Sequence, residues 1–450
     1  MYYLGGQKDM PAKTSGCEKR IDRERVLDLA FFFVLFFVAA VANYRLFLHQ
    51  ALEQGTAFPS DIKAYILEIQ GLNDTYSFPY PIIFWLAGFI KLFTTPERAM
   101  ALATTLLNCL AMIALKWEMS RALLEDTVMQ SREEKAKTRR IMADCMTSMV
   151  SVAMFFASML ILPGNLWLPG VKFRCIGVFT PNPYYNATYM AARPFAIVSF
   201  FSFFRLLGKY EKEENFPGKK EDFGECMIFA VSLLIATMAK PSFTIILVGA
   251  AGLNMLAVLF ISRFKKFLST ILLGLCFIPT FLALLYQYSG VFVSKEEAVE
   301  AGIGFCFGDI WHVYCNFIPS AIAMGMCFPI LVLLLNFKEL KTKVFYRFSW
   351  ELYAMSFVMA YFLYEKGFRK NDFNFAWGYM YGIFFGFIGA LLLVMKDTML
   401  LFAKDQSSVS KPIWKNGRFP VLVLEWIAFL AHVISGLIYF SWISAGASYF

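Results

Sequence analysis

Charge is scarce in this sequence, and so is histidine. Only 17% of the 450 residues are Asp, Glu, Lys or Arg, and 3 are His. That shortage excludes an ordinary soluble domain of this length. Strict apolar/polar alternation is also missing, which argues against a transmembrane β-barrel. The sequence has no P-loop, no glycine fingerprint for dinucleotides, no CxxC pair and no Gly-x-Ser-x-Gly element. No repeat of solenoid length and no low-complexity tract stands out.

What is abundant is apolar surface. Hydrophobic residues make up 58% of the chain, 50 of them Phe, and the mean hydropathy is +0.56. A helical span needs about 20 largely apolar residues. Runs that meet this need are expected near 28–49, 97–118, 142–163, 188–207, 225–239, 242–261, 266–288, 317–336, 347–364, 377–398 and 420–441, or about eleven helices in an all-α integral membrane protein. The apolar run at 28–49 follows a basic, largely polar segment, 1–27, and reads as an uncleaved first helix. Residues 28–450 then form one polytopic domain.

Lys and Arg set the orientation. With the N-terminus inside, 30 of the 42 basic residues fall in inner segments, and every inner loop obeys the positive-inside rule. The same count identifies "PIIFWLAGFIKLF", residues 81–93. As a full span it would place the 24 basic residues of the later inner loops outside, and it is only 13 residues long. It reads as a juxtamembrane helix lying along the outer face. The first outer loop, 50–96, therefore carries short helices of its own, and it opens with Asp61.

Ionisable residues on the outer side are few, so each is informative. They fall in five groups: Asp61, Lys63 and Glu68; Lys172, Arg174 and Arg193; Lys240 with Pro241; Asp309 and His312; and Glu365, Arg369, Lys370 and Asp372. A carboxylate can take a proton from an acceptor hydroxyl, and Lys or Arg can hold a phosphate as a leaving group. Each has a plainer alternative. Asp61 can cap a short helix, Lys240 can snorkel to water, and the loop charges can simply be solvated. Asp309 and His312 share a helical face but are too few to hold a metal. Cys306 and Cys315 share an outer loop, either as free thiols or as a disulfide. Asn73-Asp-Thr and Asn186-Ala-Thr fit the glycosylation pattern.

One run of features resembles a known family. A long first span leads to Asp61-x-x-x-Tyr65, then Gly71, then "YSFPYPIIFWLAGFIKLF", then a helix beginning "TPERAMALATTLLN". This resembles the GT-C superfamily of polytopic glycosyltransferases that use polyprenyl-phosphate sugars, in particular glycosyltransferase family 87 and the lipid A aminoarabinose transferases. Lys240-Pro241 is similar in placement to a Lys-Pro of family 87. Ile82 stands where a second Pro is common. The likeness covers 28–120 and the Lys240 region; the C-terminal third matches only in layout.

The resemblance implies an inverting glycosyltransferase in a bacterial plasma membrane, multi-pass. It would move a sugar from a polyprenyl-phosphate donor to a glycan, lipid or protein acceptor at the outer face, with no nucleic-acid partner. Asp61 would be the general base, and Lys240 and Arg369 would hold the phosphate, with Arg174 and Arg193 as second candidates. Glu365, Asp309 and His312 are further candidates. No cofactor or resident metal is implied, and divalent-metal dependence is left open. The alternative is a transporter, flippase or polymerase of lipid-linked glycans.

Overall fold

The computed structural model describes residues 15–53, 55–73, 78–127, 133–161, 170–213, 216–292, 302–402, 414 and 416–447. In chain order the helices are α1 (Ser15–Leu52), α2 (Ile62–Gln70), α3 (Pro81–Lys91), α4 (Pro96–Thr127), α5 (Glu133–Ala153), α6 (Ala187–Lys212), α7 (Lys220–Ala239), α8 (Ser242–Ile261), α9 (Phe267–Leu275) and α10 (Ile278–Phe292). Strand β1 (Ile303–Phe305), α11 (Asp309–Tyr314), α12 (Ile318–Leu335), α13 (Glu339–Thr342), α14 (Val344–Phe362), strand β2 (Leu363–Glu365), α15 (Ala376–Phe402) and α16 (Arg418–Ser444) follow. β-structure among the described residues is confined to the antiparallel pair β1–β2, with Ile303 opposite Glu365, and an isolated bridge between Phe173 and Cys315.

Among the described residues, eight helices are long and apolar enough to cross a bilayer. They are 26–52 of α1, 96–124 of α4, α6, α7, α8, α12, α15 with the turn before it, and α16. A ninth is added if α9 and α10, bent by 50° to one another, count as one broken span. Two of the expected eleven do not meet the same measure. The stretch 142–163 is not one helix. α5 ends at Ala153, a single 3₁₀ turn covers Met154–Phe156, and the chain then runs extended. Asn182 fastens this turn, donating from Nδ2 to the carbonyls of Met154 (2.8 Å) and Ala157 (2.7 Å). The extended segment is fastened to α16 and α12 through Ser158 N to His432 O and Leu160 N to Met324 O. The other is α14, whose apolarity is diluted by Arg347, Glu351, Ser349 and Ser356. It packs along α15, so it does not need an all-apolar surface.

α15 is the axis of the molecule. Its most apolar 18 residues are wholly buried, against α8, α12, α14 and α16. Close approach is carried by small residues: a Cβ on Gly382 would lie 1.9 Å from Ser356 Oγ, and one on Gly389 2.1 Å from Ser349 Oγ. α1 is the opposite case, mostly unburied, with Phe31, Phe33 and Phe37 exposed as lipid-facing surface.

Because the helices alternate in direction, the charges sort to two ends. One end gathers Lys116–Asp28 (2.9 Å), Arg205 with Glu118 (2.7 Å) and Glu225 (2.6 Å), Lys209–Asp222 (2.6 Å), and Arg418 with Asp397 (2.6 Å) and Glu425 (3.2 Å). The other end holds α2, α3, the 170–186 segment, the α7–α8 tip, α11, the β-ribbon and the turn at 367–372. Of the segment 1–27, residues 1–14 lie outside the described residues, and helix α1 already begins at Ser15.

Candidate functional site

The site is built where the first loop meets the start of α6. Helix α2 starts after Ser60, whose Oγ accepts from Ile62 N at 3.2 Å, and stops at Gly71, which takes the left-handed φ of 73° that glycine adopts most readily. Ser60 thus does the capping. The Asp61 side chain makes no cap bond; its Oδ2 instead accepts from Asn186 Nδ2 at 2.5 Å. The Asp61 backbone N–H donates to Tyr185 O (2.9 Å), and the Ser60 hydroxyl donates to the same carbonyl (2.9 Å). The loop and the residue before Asn186 are therefore fastened together. Asp61 stands at the N-cap position of α2, as the plainer alternative had it, but its side chain makes no cap bond.

Asn186 is the N-cap of α6, its Oδ1 accepting from Tyr189 N at 2.8 Å. The same oxygen accepts from Thr188 Oγ1 (2.8 Å) and from Lys240 Nζ (3.3 Å). Lys240 sits at the α7–α8 tip, where Pro241 follows it and α7 ends. Its ammonium also donates to Thr188 Oγ1 (3.2 Å) and faces the Trp377 ring at 4.5 Å. Lys240 is 8% exposed, so it is held inside the protein and does not snorkel to water. One amide thus separates the Asp61 carboxylate from the Lys240 ammonium, a span of about 8 Å or less by ordinary amide dimensions.

The electrostatics follow from this placement. Asp61 is exposed, yet desolvation by the surrounding protein is the largest influence on it and holds its carboxyl above the usual carboxylate range, against the Asn186 hydrogen bond and the Lys240 charge. Burial pushes Lys240 down to about 8, with Asp61 opposing. Arg369 and Asp372 act on Asp61, and Arg369 and Glu365 act on Lys240, so the 365–372 turn belongs to the same site. Arg369 Nε lies 3.4 Å from Glu365 Oε2 and 3.6 Å from Asp372 Oδ2, and Asn374 donates to Glu365 at 2.8 Å.

The remaining candidates are not brought to Asp61. Arg193 is fully buried, its Nη1 on Asn182 Oδ1 (2.6 Å) and its guanidinium against the rings of Tyr189, Phe155 and Phe384. It anchors Asn182, which fastens the turn after α5. Arg174 is exposed and lies over the Tyr314 ring at 5.7 Å. Asp309 accepts from Phe307 N at the start of α11, and His312 is exposed beside it; no metal-holding group of His, Cys, Asp and Glu occurs among the described residues. Cys306 and Cys315 are both free thiols. Asn186 is 3% exposed with its amide fully engaged, which closes it to glycosylation in the folded protein.

Sequence reasoning had passed over Asn186 as an organiser. Its signal was an Asn directly before a long apolar helix, the usual sign of an N-cap. Fold and site together define a multi-pass α-helical membrane protein with a polar, charge-bearing site at one end of the bundle. No family model matches the chain, and no curated protein matches it.

Proposed function

We propose that the chain is a membrane glycosyltransferase of the GT-C type, moving a sugar from a polyprenyl-phosphate donor to an acceptor hydroxyl at the outer face of a plasma membrane. The observation that carries this reading is the pairing of Asp61 with Lys240 across one buried amide, beside Arg369. In the reaction Asp61 takes the acceptor's hydroxyl proton as the acceptor oxygen bonds to the anomeric carbon. The carbon–oxygen bond to phosphate breaks on the opposite side, and the electron pair leaves on the lipid phosphate. Attack opposite the leaving group inverts the anomeric centre. Lys240 holds the phosphate, and its charge stabilises the leaving oxygen in a site where water screens little. Arg369 already serves two carboxylates and contributes less. Asp61 belongs outside because 30 of 42 basic residues then lie inside.

Polyprenyl phosphate is common to every such donor, so it tests the reading without knowledge of the sugar. The purified protein in nanodiscs is expected to bind polyprenyl phosphate at least ~10-fold more tightly than polyprenol, as one charge-assisted contact of 1.5–3 kcal/mol requires. Equal binding of the two lipids removes the reading.

A further inference from the structure

We propose that Asn186 is a positioning residue for this chemistry, one that fixes which oxygen of Asp61 reacts and holds the base apart from the Lys240 ammonium. The inference rests on Asp61 being the base. Asparagine can present either end of its amide, but here only one orientation is satisfiable. Three donors converge on one end: Tyr189 N at 2.8 Å, Thr188 Oγ1 at 2.8 Å and Lys240 Nζ at 3.3 Å. An ammonium and a backbone N–H cannot accept, so the amide oxygen must lie there. The NH₂ therefore points at Asp61 Oδ2 (2.5 Å) and Tyr65 Oη (2.8 Å). Asn186 is buried, and the helix cap locks it.

Two consequences follow. Asp61 Oδ2 is occupied by a donor that never ionises, and no donor among the described residues reaches Oδ1. Oδ1 of this exposed side chain is the oxygen left to take a proton. The amide also keeps Asp61 and Lys240 out of contact. A direct ion pair would tie the carboxylate to the ammonium and leave both unavailable, one to a hydroxyl and the other to a phosphate. The other ionisable groups that face Asp61 are Tyr65 on its own helix, Lys240 at the hairpin tip, and Arg369 and Asp372 in the 367–372 turn.

The decisive variant is Asn186→Asp. Aspartate caps helices as well as asparagine and still accepts from Tyr189, Thr188 and Lys240. It replaces the N–H that faces Asp61 with an oxygen, so two carboxylates must share one proton. Infrared titration of the purified protein follows the Asp61 carboxyl band, assigned by its loss in Asp61→Asn. The midpoint is expected to rise by about one pH unit or more in Asn186→Asp, and the acid limb of sugar transfer is expected to rise with it. Asn186→Ser, which also caps but has no N–H to give, is the second variant should Asn186→Asp fail to fold; a midpoint above the parent's and a transfer rate down ~10-fold are expected. A role in capping alone leaves midpoint and rate at parental values in both variants and overturns the proposal. If Asp61→Asn itself transfers at the parental rate, the base assignment falls and this inference with it. If Asp61→Asn is inert while the Asn186 variants are parental, only this inference falls.

Discussion

Lys240→Met separates what the ammonium does for the fold from what it does for a ligand. Burial lowers Lys240 from its ordinary 10.5 to about 8, so keeping it charged there costs about 3 kcal/mol at 1.36 kcal/mol per pH unit. The Trp377 face at 4.5 Å and the bonds to Asn186 and Thr188 return about 1–2 kcal/mol. The costs outweigh the returns, so the variant without ligand is expected to be as stable as the parent or up to about 2 kcal/mol more stable, by the same figures. The sign of the pH dependence follows. The folded protein binds fewer protons than the unfolded chain between about 8 and 10.5. The parent is therefore penalised in full below about 8 and gains stability as pH rises through that window. Lys240→Met lacks that gain. Thermal unfolding in nanodiscs from neutral to alkaline pH reads both quantities. A loss of more than about 2 kcal/mol in the variant, the size of a missing structural hydrogen-bond network, refutes the reasoning, as does a pH dependence equal to the parent's.

Other outcomes follow from the same geometry. Arg369→Gln is expected to weaken polyprenyl-phosphate binding only ~3-fold, against ~10-fold or more for Lys240→Met, because Arg369 is half-committed to Glu365 and Asp372 and shares their solvent; a larger loss in Arg369→Gln reverses the order of the two cations. Binding of polyprenyl phosphate is expected to fall as pH rises past the Lys240 midpoint of about 8, and titration at three pH values on either side checks it. Gly436→Ala places a Cβ 1.4 Å from Phe156 O, where α16 meets the end of α5; a destabilisation of ~3 kcal/mol or loss of the folded protein is expected, and near-parental unfolding contradicts the packing described.

Much of this was legible in the sequence because lipid imposes strong rules. Apolar runs placed α6, α7, α8, α16 and the spanning parts of α1 and α4 within several residues, and the basic count kept "PIIFWLAGFIKLF" out of the membrane register, where α3 is a short helix. Lys240-Pro241 marked a hairpin tip because Pro cannot continue α7. What hydropathy could not see was a break tied down by distant residues: Asn182, held by Arg193, takes the carbonyls of Met154 and Ala157 in the turn that follows α5. α14 was readable as a helix but not as packed inside the bundle, since Ser349 and Ser356 meet α15 while Arg347 and Glu351 reach Glu211 of α6 and Asn254 of α8. The role of Arg193 misled for the same reason, as a cation inside an apolar run looks like a ligand site until its aromatic surroundings are known. Asp61 and Lys240 were found by scarcity of charge; Asn186, uncharged, carried no such signal.

The central claim is that Asp61 removes the acceptor's proton, and one measurement bears on it most directly. Release of polyprenyl phosphate from polyprenyl-phosphate sugars (hexose, pentose and amino-sugar donors offered together), with water and simple alcohols as the acceptor hydroxyls, is followed for parent and Asp61→Asn, with donor binding measured on the same samples. Asp61→Asn keeps the size of the side chain, and the Asp61 carboxylate makes no cap bond to α2, so the fold and donor binding should survive. The account predicts release by the parent and a loss of ~10²-fold or more in the variant, because an amide cannot take the proton. Release by Asp61→Asn at the parental rate, or no release by the parent from any of the donors, contradicts it.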